Sequence, residues 1–563
     1  MSASLGVQVV SHHTPLRARA QGVAAPQDAI VSTRYGRIRG TRVADVCAFK
    51  GVPYGASTAG SSRFRPPSPP SPWTGIRDTT RYGPRATQPV RRMIPELGDA
   101  LTGSGPMSED CLRVNVWSGG LASTDKRPVM VFLHGGGYQT GSGNSALYDG
   151  SALARKHGVV VVTVTHRLNA LGFLYLEQLG GAEWRDATNL GLLDIVSALE
   201  WVRDNVAAFG GDPGCVTLFG ESGGAAKTCM VMAMPSARGL FHRAIAQSTL
   251  VDMAIRGWTP DQATRWAEFL IARLGLTPTQ LERLRELPVD RIIAAQVEAQ
   301  AGRRHADDDG KYLATNFYPV TDGRTVPTHP FDPVAPAASA DVPLLCGSTE
   351  HEVSPYLDAA MLQPLDATAL RDRVQAVLRV DAGTADRVIA LYRSHRPDST
   401  NLSLATIITS DNSVMRASEY IMAERKAAQG KAPAFLYYFQ WPSPVRDGRL
   451  GAMHGVELPF VFDNAAAVPE MVGRGAELVA LAEQVTAAWV AFARTGNPSV
   501  AGRSWPAFEA RTRPTMVFNV ESRVVSDPYA EERHALEAIR AAQASLPPFA
   551  PPGCASVVCG NRW

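Results

Sequence analysis

Between two short runs of β-branched residues, Val159–Val164 and Val216–Phe219, lies a segment whose apolar residues fall on one helical stripe. Leu192, Ile195, Leu199, Val202, Val206 and Phe209 recur every three or four positions, the period of a helix with one buried face. The stripe ends at Gly210-Gly211-Asp212-Pro213, a stop signal in which glycine and proline both interrupt the helical pattern. Strand, helix, strand in that order implies a right-handed parallel crossover. Val129–Leu133, Ala244–Ala246, Val342–Cys346 and Phe435–Phe439 read as further buried strands, short, apolar and bounded by Gly, Pro or polar residues. The predicted class is therefore α/β, a mostly parallel central sheet flanked by helices. In such sheets ligands bind at the carboxyl ends of the strands, so chemistry is to be sought there.

A sheet covered on both faces needs a large core, and 563 residues that are 45% hydrophobic and 19% charged can supply one. The 56 basic and 53 acidic residues leave a net charge of +3, too small a field to attract nucleic acid or an anionic membrane. No stretch approaches the roughly 20 apolar residues that span a bilayer. The first thirty residues carry His12, His13, Arg17 and Arg19 and lack the apolar core of a secretory signal, which predicts a cytoplasmic protein. Residues 1–29 read as a flexible N-terminal segment, 30–545 as a single domain without a break in composition, and 546–563 as a tail. Pro547, Pro548, Pro551 and Pro552 keep that tail from forming a helix. The seven cysteines are scattered and odd in number, not a disulfide framework. Cys554 and Cys559 lie close together without His or Cys partners and read as free thiols rather than a zinc site.

The strand Val216–Phe219 runs into Gly220-Glu221-Ser222-Gly223-Gly224, followed by a helix expected over Ala225–Met232. In G-x-S-x-G the small residues let the chain reverse sharply and leave the serine Oγ exposed at the strand end. The helix behind it aims free N–H groups at the same point. Upstream, Val129–Leu133 ends in His134-Gly135-Gly136-Gly137-Tyr138. Consecutive glycines let backbone N–H groups approach a substrate closely, which acyl transfer requires because charge develops on the carbonyl oxygen. The expected oxyanion hole is Gly136, Gly137 and the amide of Gly223.

A serine nucleophile needs a base, and the base an orienting acid. His454 lies in a turn-like stretch after Phe435–Phe439, and the order Ser, acid, His places the acid between residues 222 and 454, just after a strand. Val342–Cys346 is followed by Gly347-Ser348-Thr349-Glu350-His351-Glu352, where position alone leaves Glu350 and Glu352 both open. Tyr138, Trp258 and residues 296–315 are candidates for lining a pocket, and Arg303 to Asp309 reads as a solvated loop.

Several landmarks stand in a familiar order: Phe49-Lys50-Gly51-Val52-Pro53-Tyr54, Ser108-Glu109-Asp110-Cys111-Leu112, the His134 glycine motif, Arg167 with Ala170-Leu171-Gly172-Phe173, and Asn189-Leu190-Gly191-Leu192. Phe209-Gly210-Gly211-Asp212-Pro213, the Ser222 motif, Phe241 to Ser248 and Gly496-Asn497-Pro498 complete it. Over residues 30–545 the chain resembles the type-B carboxylesterase and cholinesterase family. The resemblance implies the α/β-hydrolase fold with helical cap insertions, and hydrolysis of small to medium carboxylic esters through an acyl-enzyme, without metal or cofactor. It implies Ser222, His454 and Glu352 as the triad, Glu350 being the reserve for the acid, and Ser248 as a residue near it. Amide or carbamate hydrolysis on the same triad is the alternative, and a binding protein of the same fold the remote one. Four departures stand out. His351 occupies a position that is usually acidic, and Gly223-Gly224-Ala225 stands where Ala-Gly-Gly is usual, a size-conservative change. Cys111 matches a cysteine paired in secreted members, but Ala86 stands at its partner's position. No Trp lies between Trp73 and Trp117, where cholinesterases carry one that stacks on choline.

Overall fold

The computed structural model describes residues 27–89, 103, 105–249, 257–302, 317–413 and 415–543. Residues 1–26, the C-terminal tail with Cys554 and Cys559, and the loop expected from Arg303 to Asp309 lie outside the described residues.

Three antiparallel strands open the chain: β1 (Gln27–Thr33), β2 (Gly36–Val43) and β3 (Val46–Pro53). β4 (Ile76–Asp78) adds to β2, and β5 (Arg85–Ala86) pairs separately with β6 (Met107–Ser108). There follow β7 (Arg113–Ser118), β8 (Arg127–Leu133), β9 (Val160–Thr165), β10 (Gly211–Glu221), β11 (Arg243–Gln247), β12 (Leu344–Thr349), β13 (Ala434–Phe439), β14 (Pro514–Phe518) and β15 (Arg523–Ser526). The spatial order is β1-β2-β3-β7-β9-β8-β10-β11-β12-β13-β14-β15, and every neighbouring pair from β9 to β14 is parallel. This is the α/β-hydrolase architecture.

Alternation along the central strands divides the core into two layers. Val129, Val131 and Leu133 of β8 pack with Leu192, Ile195, Leu199 and Val202 of the helix Leu190–Asn205. Met130 and Phe132 point the other way, to Val485, Trp489 and Phe492 of the helix Glu477–Thr495. The apolar stripe that ends at Phe209 is not one α-helix. Its last turn, Val206–Phe209, tightens to 3₁₀ geometry before Gly210 takes φ 76° and ends it. Such i→i+3 bonding satisfies carbonyls that the end of an α-helix leaves without partners.

Helices inserted after β11 (Pro260–Arg273, Val289–Gly302) and after β12 (Ala367–Leu378, Ala382–His395, Asn401–Asn412, Met415–Ala428) are the cap insertions. Among the described residues, no helix is long and apolar enough to cross a membrane. β8 leads to β9 on one side, and the crossover from β9 returns to β10 on the other. The topological switch point thus lies between the carboxyl ends of β8 and β10, where an open α/β sheet binds its ligand.

Candidate active site

Ser222 sits at that switch point. It follows β10 with φ 57° and ψ −123°, a backbone conformation a non-glycine residue holds only at a cost of about 1–3 kcal/mol. The surroundings impose it: the Ser222 N–H donates to Gln247 O at 2.8 Å, and Ser222 O accepts from Ala226 N at 3.0 Å. Close packing also explains a glycine here. A Cβ on Gly224 would overlap the carbonyl of Leu133, so only glycine lets the helix Gly223–Met232 start against the end of β8. The Ser222 side chain shares a hydrogen bond with the Tyr356 hydroxyl.

His454 and Glu352 come together from different loops. The Nδ1–H of His454 donates to Glu352 Oε2 at 2.5 Å, and Glu352 Oε1 accepts from Thr349 N at 2.8 Å. Nε2 of His454 lies 3.1 Å from Glu221 Oε1, without a well-aligned hydrogen bond. A third carboxyl, Glu457, accepts from Gln247 Nε2 at 3.1 Å, and Gln247 Oε1 accepts from Trp489 Nε1 at 3.1 Å. Three buried carboxyls around one imidazole shift each other's protonation. Burial disfavours the imidazolium of His454, but Glu221 and Glu352 outweigh it and bring the pKa up to about 9. Burial pushes Glu221 up to about 7, with His454 opposing and Glu352 adding to the rise. Glu457 rises to about 8 through burial and then the charges of Glu221 and Glu352.

The glycine loop leaves β8 beside the serine. Gly136 and Gly137 take φ 85° and 63°, and Gly136 O accepts from Thr140 N at 3.1 Å and Gln139 N at 3.2 Å. The N–H groups of Gly136 and Gly137 donate to no other group among the described residues. Tyr138 is buried, edge-on to Phe173 at 5.0 Å and to Tyr318 at 5.6 Å. Trp258 packs on Tyr318 at 5.2 Å, so the two aromatics singled out in the sequence belong to one cluster. Of the stretch 296–315, residues 296–302 end the helix Val289–Gly302, and 303–315 lie outside the described residues.

Residues 27–536 match the Carboxylesterase family. The chain belongs to that family. It is 35% identical over 513 residues to the para-nitrobenzyl esterase of Bacillus subtilis (strain 168), covering 90% of this chain and 98% of that protein. It is also 35% identical over 512 residues to the phenmedipham hydrolase of Pseudarthrobacter oxydans, with the same coverage. The solved carboxylesterase of Geobacillus stearothermophilus is similar at 35% identity with a TM-score of 0.74, covering 90% of this chain and 99% of that one. The protein is a carboxylic ester hydrolase.

Several expectations look different inside this carboxylesterase. Glu350 accepts from Arg396 Nε at 2.9 Å and Gln440 Nε2 at 2.8 Å, an ion pair unconnected to His454. His351, at the usually acidic position, ties two loops together. Its N–H donates to Ala452 O at 2.8 Å, its Nδ1 accepts from Ala452 N at 3.2 Å, and its Nε2–H donates to Ser403 Oγ at 2.8 Å. The change at Gly223 is not size-conservative in place, because a Cβ there would overlap the backbone of Gly137. Ser248 has φ 52°, donates its N–H to Gly347 O at 2.7 Å, and keeps its Oγ buried without a hydrogen bond. Cys111 is a free, buried thiol.

Glu221, Tyr356 and Glu457 were not singled out in the sequence. Glu221 could have been found, since it is the variable residue of G-x-S-x-G itself. Tyr356 lies four residues after Glu352 in the loop after β12 and Glu457 three residues after His454 in the loop after β13, and neither belongs to a motif that marks it.

Proposed function

We propose that Ser222 is the nucleophile, His454 the base and Glu352 the acid of a serine esterase acting on small to medium carboxylic esters. The observation that carries the reading is the 2.5 Å His454–Glu352 bond, made at the strand ends beside a strained serine. With Nδ1–H committed to Glu352, Nε2 holds the lone pair that takes the Ser222 proton as Oγ attacks the ester carbonyl. Glu352 then stabilises the imidazolium. In the resting site Oγ is bonded to Tyr356 and Nε2 faces Glu221. Catalytic hydrogen bonds are often loose in unliganded sites and tighten with substrate. The oxyanion rests on the N–H groups of Gly136, Gly137 and Gly223. The alcohol leaves with the proton carried by His454, and water, activated by the same imidazole, releases the acid. Ser248 lies close by as a supporting residue. A cytoplasmic location is part of the proposal, and the five free cysteines of the described residues suit a reducing compartment.

The likeness to the phenmedipham hydrolase favours a second reading, carbamate or amide hydrolysis on the same residues. Relative kcat/KM on matched ester and carbamate pairs separates the two.

The test is turnover of a p-nitrophenyl ester series by wild type and Ser222→Ala side by side, with fluorophosphonate labelling of both. The variant is expected to fold, to resist labelling and to lose about 10⁴–10⁶ in kcat. Near-normal turnover by folded Ser222→Ala would sink the assignment.

A further inference from the structure

Lys227 is a lysine with no solvent exposure, one turn into the helix that begins at Gly223. Its Nζ donates to His134 O at 3.0 Å and to His166 Nε2 at 3.2 Å. The tautomers follow from the other ring nitrogens. His166 Nδ1 lies 2.8 Å from Arg167 O and His134 Nδ1 lies 2.8 Å from Gly135 O, so both carry the proton and donate it to a carbonyl. The two imidazoles stack with centroids 5.0 Å apart and planes 11° from parallel. Burial, then the Lys227 charge, holds both well below the ordinary imidazole range, so both are neutral.

The three residues come from three adjacent strands. His134 follows β8, His166 follows β9, and Lys227 lies on the helix after β10. A buried amine is costly unless it has a task or full compensation, and the mechanism above does not use this one. What it holds is the start of the glycine loop. Nζ fixes the carbonyl of the His134–Gly135 peptide. The His134 imidazole fixes the carbonyl of the next peptide, Gly135–Gly136, and that unit carries the Gly136 N–H. In a planar trans peptide the N–H points opposite to the C=O, so holding the Gly135 carbonyl aims the Gly136 N–H.

We propose that Lys227 is a positioning residue for the oxyanion hole: through the His134 carbonyl and the stacked His166–His134 pair it fixes the first two peptides of the glycine loop and thereby the aim of the Gly136 N–H. The proposal rests on the assignment of Gly136 as an oxyanion donor. Lys227 touches neither the nucleophile nor the base, but its charge also acts on Glu221, which faces His454, so a loss routed through the base would show as a shifted pH limb and a misaimed hole as lost ketone affinity at an unshifted limb.

Lys227→Met keeps most of the length of the side chain and removes the charge and both hydrogen bonds of Nζ. His166→Phe keeps a stacked ring and removes both the acceptor on Nε2 and the Nδ1–H that donates to Arg167 O. Both are compared with wild type for kcat and KM on p-nitrophenyl acetate. The same proteins are titrated with an aryl trifluoromethyl ketone, whose adduct with the serine carries an oxyanion. Circular dichroism melting reports the fold. A missing oxyanion donor costs about 10²–10³ and a misaimed one less, so Lys227→Met is expected to lose about 10–100-fold in kcat. KM should stay within about twofold, and ketone affinity should fall by the same factor as kcat. His166→Phe is expected to show the same split at roughly three- to tenfold. Folded Lys227→Met with wild-type kcat and ketone affinity overturns the proposal, as does a rise in KM at unchanged kcat. Should Lys227→Met fail to fold, wild-type kcat and ketone affinity in His166→Phe overturn it. If wild type itself neither hydrolyses the ester nor binds the ketone, the esterase assignment of this site fails first, and the proposal with it.

Discussion

As the proposed base, His454 meets a contradiction set by its own neighbours. A base must be neutral to accept a proton, yet Glu352 on one ring nitrogen and Glu221 facing the other favour the imidazolium. The two demands belong to different moments. Neutral imidazole is needed at attack, and imidazolium is what the transition state creates, so the carboxylates lower the barrier while raising the pH at which the base is available. The sign follows: kcat/KM should rise with pH as His454 loses its proton, along a limb displaced above the ordinary imidazole value of 6.5 toward about 9. Glu221 is the largest of the raising charges on His454. Glu221→Gln should therefore move the limb back toward lower pH, and lower kcat at its plateau because the imidazolium loses a partner. A pH–rate profile of wild type and variant checks this. A limb that stays in place would show that Glu221 does not act on the base.

Strands and loops differed in how far the sequence exposed them. The runs from Val129 to Phe439 were legible as buried parallel strands because burial on both faces demands unbroken β-branched and aromatic residues. β1 and β2 were not, since most of their residues are at least partly exposed and their pattern is weak. At the site, Ser222 and the glycine loop were legible because tight turns require small residues at fixed spacing. The choice between Glu350 and Glu352 was not legible from position, since it depends on which way a loop turns and on Arg396, which lies 46 residues away from Glu350. Lys227 was invisible for the same reason, its partners being supplied by two other strands. The contact between the glycine loop and the helix start carries its own prediction. Gly223→Ala adds a Cβ that overlaps Gly137, so loop and helix must separate and the hole must widen. A loss of about tenfold in kcat with KM little changed is expected, less than the 10²–10³ for removing a donor outright. Wild-type kcat in Gly223→Ala would mean that the loop yields at no cost to the hole.

At the scale of the whole molecule, the loop that carries Glu352 is anchored to the last helix of the described chain. Arg396 is buried between two carboxylates, with its Nε on Glu350 Oε1 at 2.9 Å and its Nη1 on Glu532 Oε1 at 2.6 Å. Glu532, on the helix Ala530–Gln543, also accepts from His395 Nδ1 at 2.9 Å and has no solvent exposure. The guanidinium stacks 4.0 Å from the ring centroid of Tyr529. One cation thus joins the loop after β12, the end of the cap helix Ala382–His395 and the C-terminal helix. Removing one partner of a buried pair usually costs about 3–5 kcal/mol, because the other charge is left without compensation. Glu532→Ala should fall at the lower end, about 3 kcal/mol, because Arg396 keeps Glu350. Urea unfolding followed by circular dichroism measures that loss. The reacting groups gain and lose nothing in the exchange, so kcat and KM per folded molecule should match wild type under conditions where the variant is fully folded. A drop in kcat without a shift in the urea midpoint would instead place this ion network in the chemistry, transmitted through His351, the one residue that separates Glu350 from Glu352.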